Sequence, residues 1–290
     1  MLWHSRRDKV RRIMKTQAEK GAAFHGLHTR NRAFLIPNPW DIGTARLLAH
    51  LGFEALATTS AGFAFSLGRV DNKITRDEAL AHAAEIASAT DLPVSADLEN
   101  GFGDRPEDAA ETIRLAAQAG LAGASIEDMP HRVPPTVYEM AHAVERIRAA
   151  AEVVRGLPFR FTLTARAENY LVGRADLKDT IARLQAYQSA GADVLYAPGL
   201  TSRDDIAAVV RSLDRPVNVL ATPQFSLASL GELGVRRISV GSALTRAAYG
   251  AFLDAAREMR ERGTFQFAAQ TISYGDLTAM FERIAAANKG

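Results

Sequence analysis

In the stretch SADLENGFGDRP, Asp97 and Glu99 stand two positions apart, directly after the apolar run Pro93–Asp97. A second acidic pair, Glu127 and Asp128, closes the run Ala122–Glu127, and Arg166 and Glu168 follow the run Arg160–Thr164. Carboxylates gathered in this way repel one another unless a cation stands among them. An all-oxygen ligand set suits a hard divalent ion, Mg2+ before Ca2+ or Mn2+, held through one or two carboxylates, water and substrate. Arg166 would then clamp a substrate carboxylate with two parallel hydrogen bonds. The competing reading is structural: Glu127 and Asp128 cap the following segment, and Arg166 neutralises them.

These residues depend on the elements that carry them. Short apolar runs recur at Phe34–Pro37, Ala55–Thr59, Pro93–Asp97, Ala122–Glu127, Arg160–Thr164, Asp193–Ala197, Pro216–Ala221 and Arg237–Val240. Most are continuous rather than alternating, as in strands buried on both faces. Helical patterns lie between them. DIGTARLLAHLG places Ile42, Ala45, Leu48 and Ala49 on one face before Gly52, and RPEDAAETIRLAAQAG runs from Pro106 through an acidic first turn to Gly120. DLKDTIARLQAYQSAG and SLASLGELG end the same way, at Gly191 and Gly234.

Eight strand–helix units with right-handed crossovers predict an α/β fold, a (β/α)8 TIM barrel. An open doubly wound sheet would place a Gly-rich phosphate turn after the first strand, where PNPWDIG stands instead. In a barrel, active sites gather at the C-terminal strand ends, which puts the three charged pairs on adjacent ends roughly 5 Å apart. Gly101 and Gly103 are expected to give the acidic turn its freedom of φ. SVGSALTR after the eighth strand is either a phosphate-binding turn or an ordinary helix cap. The chain reads as a single domain: an N-terminal helix over 1–33, the barrel over 34–262, and a C-terminal helical extension over 263–290.

Composition narrows the chemistry. The 290 residues include no cysteine, which excludes disulfides, thiolate-held metals and a thiol nucleophile. No serine elbow or paired-histidine zinc motif is present. Of seven histidines, His131 falls in a candidate active-site loop, where a lone histidine is ordinarily incidental. Residues 1–32 hold nine Lys or Arg against two acids, leaving 26 bases and 31 acids in the rest. That basic arm reads as an amphipathic helix with Val10, Ile13, Met14 and Gln17 on one face. It lacks the interleaved aromatics of a nucleic-acid surface. No apolar stretch is long enough for a membrane span or a secretory signal, so the expected compartment is the cytoplasm, with no membrane or nucleic-acid partner.

Several segments in order resemble the isocitrate lyase and phosphoenolpyruvate mutase superfamily: NPWDIGTARLLAHLGFEALATTSAGFAFSLGRVDN, PVSADLENGFG, AGLAGASIEDM, LTARAENY and GVRRISVGSAL. The resemblance covers Phe34 to Phe252. It implies a Mg2+-dependent barrel enzyme (Mn2+ substituting) that cleaves or rearranges a C–C or P–C bond beside a 2-oxo acid through an enolate. By position, Thr59, Ser60 and Ala61 would bind substrate together with Arg166. Asp97, Glu99 and Glu127 would hold the metal. Arg166, Glu127 and Asp71 would act in catalysis. It also implies a homo-oligomer, dimer or tetramer, through the C-terminal helix.

The chain departs from the superfamily at three places. Its lyases carry a cysteine in a Lys-Arg-Cys-Gly-His-type loop after the fourth strand, where HRVPPTVYEM stands here. This sets the chain apart from cysteine-dependent isocitrate and methylisocitrate lyases. Ala57 replaces an aromatic residue over the substrate, and YAPGL lacks the mutase histidine and the lyase glutamate. Oxaloacetate decarboxylation, or hydrolysis of a phosphonate or acyl group, would use the same site. A barrel that has lost catalysis and serves in binding or assembly is the alternative of another class.

Overall fold

The eight predicted runs form eight parallel strands. They are β1 (Phe34–Ile36), β2 (Leu56–Ala57), β3 (Val94–Asp97), β4 (Gly123–Glu127), β5 (Thr162–Arg166), β6 (Val194–Tyr196), β7 (Val217–Leu220) and β8 (Arg237–Ser239). Hydrogen bonding joins them in the order β1-β8-β7-β6-β5-β4-β3-β2. The gap between β1 and β2 is bridged by the Ala57 N–H, which donates to the Pro37 carbonyl at 3.1 Å. The computed structural model, which describes residues 15–287, is therefore a (β/α)8 TIM barrel.

Helices α2 (Ile42–His50), α4 (Arg76–Ser88), α5 (Pro106–Gln118), α6 (Met140–Arg155), α7 (Leu177–Ala190), α8 (Arg203–Arg211), α9 (Leu227–Glu232) and α10 (Ala243–Arg262) follow the strands in turn. Helix α1 (Gln17–Thr29) precedes β1, and α3 (Ser60–Ser66) is inserted between β2 and α4. Outward strand residues such as Ile126, Leu163, Leu195, Val219 and Ile238 share one buried apolar cluster with Ile86, Ile113, Ile147, Leu184 and Ile206 of the helices. That burial, at about 25 cal/mol per Å² of apolar surface, is the main force holding helices to sheet.

β5 begins two residues later than its apolar run, because its register with β4 pairs Gly123 with Thr162 and Glu127 with Arg166. Arg166 is thus the last residue of the strand and inherits its rigidity. The N-terminal end of the barrel is covered by α1: Phe24, fully buried, packs with Phe34, Ile36, Ala55 and Ala122. Gly123 is required there, since a Cβ would lie 2.6 Å from the Thr162 carbonyl oxygen and 3.0 Å from the Phe24 ring. Val10, Ile13 and Met14 of the predicted basic helix lie outside the described residues. Gln17 opens α1 and donates to the carbonyls of Ala117 and Leu121 at 2.6 and 2.9 Å.

Two compact units emerge, the first from Thr16 to Ala247 and the second containing Ala248 onward, with the boundary inside α10. In the second unit a 3-10 turn (Gln266–Gln270) leads to α11 (Tyr274–Ala287). Glu258 is buried and ties the end of α10 to that turn by accepting from the Thr264 hydroxyl (2.7 Å) and the Phe267 N–H (3.1 Å). Among the described residues no helix is long and apolar enough to cross a membrane.

The closure of the barrel at its C-terminal rim rests on Asn38. Its Nδ2 donates to the Thr58 carbonyl (2.9 Å), while its Oδ1 accepts from the N–H groups of Val240 and Gly241 (3.0 and 2.9 Å). One buried side chain therefore joins the ends of β1, β2 and β8. Asn38→Ala leaves these groups unpaired and is expected to cost about 2–4 kcal/mol, read from the urea midpoint. An unchanged midpoint would show that the rim closes without it.

Candidate active site

Thr59, Ser60, Ala61, Asp71, Asp97 and Arg166 line one cavity of about 190 Å³ at the C-terminal mouth of the barrel. This is smaller than the roughly 300–1,000 Å³ of drug-sized ligand sites and suits an acid of a few carbons. Glu127 and Glu99 stand behind that wall, 4% and 2% exposed.

Arg166 organises the charges. Its Nη1 donates to Asp97 Oδ1 at 2.8 Å and its Nε to Glu168 Oε1 at 2.8 Å, while Nη2 lies 3.2 Å from Glu127 Oε2. The guanidinium carbon also sits 5.3 Å from the centre of the Tyr196 ring, a cation–π contact. Asp97 accepts on its other oxygen from both the N–H and the hydroxyl of Ser60, at 3.1 and 3.0 Å. The same hydroxyl is 3.3 Å from Asp71 Oδ1. Thr59 is the N-cap of α3, its hydroxyl accepting from the Gly62 N–H. The insertion of α3, which the sequence pattern did not signal, thus fixes Ser60 against Asp97.

Five carboxylates share this region with one strongly held guanidinium, so several are driven towards the neutral form. Burial, with Asp97, Glu127 and Asp71 nearby, pushes Glu99 up to about 9. Burial and the neighbouring Asp97 raise Asp71, and burial raises Glu168 as well despite its bond to Arg166. Asp128 stands apart. It accepts from the Tyr187 hydroxyl (2.5 Å), from Arg183 (3.2 Å) and from the Glu168 N–H (2.8 Å), which makes it a buried tie between β4, β5 and α7.

Glu99 is held in an unusual backbone state. Its φ is +50°, and Gly101 and Phe102 also have positive φ. A non-glycine residue in this region is uncommon and costs about 1–2 kcal/mol. Gly103, expected to supply such freedom, instead has an ordinary φ and is needed for space, because a Cβ would meet the Asp108 carboxylate at 2.5 Å. Arg146 from α6, 1% exposed, secures the turn by donating to the carbonyls of Asn100, Gly103 and Arg105.

The result is a buried carboxylate whose two oxygens have no hydrogen-bond partner. The nearest basic side chain is His131, with Nδ1 3.4 Å from Glu99 Oε2 and Nε2 3.5 Å from Glu127 Oε1. His131 is therefore not incidental: it spans two of the acids. Among the described residues no three His, Asp or Glu side chains are grouped so as to hold an ion as they stand; the Arg166 guanidinium and the His131 ring stand between the acids. The donor chemistry still fits a hard cation, since the acids present oxygen alone and neither Glu99 oxygen is taken by a hydrogen bond.

The family model described as phosphoenolpyruvate phosphomutase matches residues 24–260. The chain belongs to the phosphoenolpyruvate phosphomutase family. Within it, a candidate lyase/mutase from Burkholderia cenocepacia J2315 is 60% identical, with a TM-score of 0.89 over 91% of this chain and 96% of that one. The oxaloacetate decarboxylase of Bradyrhizobium sp. (strain BTAi1 / ATCC BAA-1182) is 30% identical over 69% of this chain and 70% of its own. A structure of oxaloacetate acetylhydrolase with the inhibitor 3,3-difluorooxalacetate is 26% identical, with a TM-score of 0.83 over 94% of this chain and 96% of that one. As a phosphoenolpyruvate phosphomutase family member the chain is an enzyme of the lyase and mutase superfamily, and it contains no cysteine at any position.

The elevated Glu99 sets a pH dependence. Between the ordinary glutamate value near 4.5 and about 9, the folded chain holds a proton that the unfolded chain releases. Stability is therefore greatest at the acid side of that window and falls as pH rises through it. The melting temperature of metal-free protein should drop from pH 6 to pH 9, and Glu99→Gln should flatten the decline. Equal slopes in both proteins would exclude Glu99 as its source.

Proposed function

We propose that the chain catalyses Mg2+-dependent cleavage of a C–C bond in a small 2-oxo acid, the bond from the carbon next to the oxo group to its outer substituent, so that the electron pair stays on the 2-oxo fragment as an enolate; a P–C rearrangement of a phosphonate would draw on the same groups. The observation that carries this reading is the mouth of acids around Arg166, with Glu99 buried and without a hydrogen bond to either oxygen. Asp97, Glu99 and Glu127 are the residues that would hold the ion. When bound, Mg2+ (or Mn2+) supplies a Lewis acid that polarises the 2-oxo group and offsets negative charge.

The chain's own residues account for the rest. Thr59, Ser60 and Ala61 bind the carboxylate and oxo end of the substrate. Arg166 stabilises the charge that appears on the enolate oxygen when the bond breaks, and its contacts to Asp97, Glu127 and Glu168 keep it in place before the reaction. Glu127 sets the orientation of Arg166. Asp71, raised by burial and by Asp97, stands at the mouth beside the Ser60 hydroxyl, where it is placed to pass a proton to the enolate carbon.

Decarboxylation of a 2-oxo dicarboxylate is a second reading, favoured by the missing cysteine and by the 30% identical oxaloacetate decarboxylase. Loss of CO2 needs an electron sink and a later proton, not a base that first deprotonates a hydroxyl. Isothermal titration with oxalate, an enolate mimic, should show binding that requires Mg2+ and weakens at least tenfold in Asp97→Ala and Arg166→Ala. No binding by wild type, or unchanged binding in both variants, would overturn the site. A substrate panel followed for pyruvate, phosphate and CO2 separates the reactions.

We also propose a homo-oligomer, dimer or tetramer, formed through the C-terminal helices. Phe252, Phe265, Ile272 and Tyr274 are 68%, 66%, 53% and 89% exposed, a density of large apolar groups that marks interaction surfaces. Removing residues 264–290 should lower the mass found by light scattering, and an unchanged mass would refute the assignment.

A further inference from the structure

A second guanidinium, distinct in its surroundings from that of Arg166, belongs to the same cavity. Arg237, the first residue of β8, is 5% exposed and lines it together with Asn218 and Tyr196. Its Nε donates to Asn218 Oδ1 at 2.9 Å, and Asn218 Nδ2 is in turn fixed on Ser239 Oγ at 3.0 Å. Its Nη1 is buried without any acceptor. Arg166 contacts three carboxylates, whereas the titratable groups acting on Arg237 are the Tyr196 phenol, which burial raises to about 12 and so keeps neutral, and Arg166 itself. Burial and Arg166 bring Arg237 down to about 10, and His28 beside it is kept neutral, lowered to about 3 by burial and by Arg237.

A buried cation without a counter-ion destabilises a folded chain by several kcal/mol, and an apolar residue of similar size would remove that cost. Such a residue is tolerated where an anion completes it. The space for one is provided by Ala57, Ser95 and Ser125, small side chains that line the cavity alongside the acids and Arg166. A guanidinium with its Nε already committed to Asn218 has one charge and its Nη groups to offer. This matches a carboxylate better than a doubly charged phosphonate.

We propose that Arg237 anchors a second carboxylate of the substrate, so that the acid taken by this site is a dicarboxylate. This rests on reading the cavity as the 2-oxo acid site. The test uses malate and lactate, 2-hydroxy acids differing by one carboxylate, and 3-phosphonolactate, titrated calorimetrically into wild type, Arg237→Met and Arg237→Lys with Mg2+ present. Wild type should bind malate at least tenfold tighter than lactate. Arg237→Met should lose about 10- to 100-fold for malate and leave lactate unchanged. Arg237→Lys should retain part of the preference. Because the arginine is uncompensated in the free protein, Arg237→Met should melt no lower than wild type without ligand.

Equal losses for malate and lactate, no loss for malate, a wild type that does not distinguish them, or a ligand-free Arg237→Met that melts several degrees lower would each overturn the proposal. A larger loss for 3-phosphonolactate than for malate would replace the carboxylate by a phosphonate. Failure of the metal–enolate reading looks different: malate binding would then be indifferent to Mg2+ and to Asp97→Ala while still depending on Arg237, which supports the anchor.

Discussion

The compensation of buried negative charge by Arg166 is the constraint on which the rest of this site depends. Three strands end in ionisable groups within one rim, and parallel β-pairing forbids them from spreading apart. The guanidinium from β5 solves the problem by reaching acids on both sides, Asp97 and Glu127 from the preceding strands and Glu168 from its own loop. Without it, desolvation and mutual repulsion would force most of these groups to bind protons. With it, Glu99 remains the one carboxylate with neither a hydrogen-bond donor nor an arginine, so the demand for a further cation is concentrated there.

That concentration is built by the scaffold. Asn38 sews the rim shut between the first and last strands. Arg146 gathers the carbonyls of the turn that places Glu99 in its left-handed state. Asp128, bonded to Tyr187 and Arg183, holds the strand behind Glu127. Each of these is a buried polar group, and each spends its hydrogen bonds on backbone or on a structural partner. The division between acids that are satisfied and one that is not separates architecture from chemistry within a single sequence motif.

The fold was legible because its signals are local and repeated. Continuous apolar runs, Pro106 at a helix start, and glycines at helix ends gave the eight units, and the strands differ from those runs chiefly at β5, whose limits depend on the register of a neighbour. The residues around the cavity were partly legible for the same reason: a strand that ends in a charge announces where that charge will stand. What was hidden depended on long-range geometry. His131 gained significance only when the loop folded between Glu99 and Glu127. Arg237 opens β8 and Asn218 lies inside β7, where apolar neighbours masked them, although a charged side chain at the inward-facing start of a barrel strand is a signal that the period-two alternation could have exposed. Helix α3 was missed because TTSAGFAFS is too short for a helical period to register.

Helix α1 carries a consequence for the kinetics of any reaction in this barrel. Phe24 and its partners fill the N-terminal end, so the reaction proposed above would use the C-terminal mouth for entry and for exit. Under the proposed cleavage, a molecule divided inside would leave in two pieces, the outer fragment first and the more deeply seated one last. The fragment that leaves last would meet the next substrate at the same opening and compete with it for the free enzyme, so that a packed barrel floor would be read out as a pattern of product inhibition.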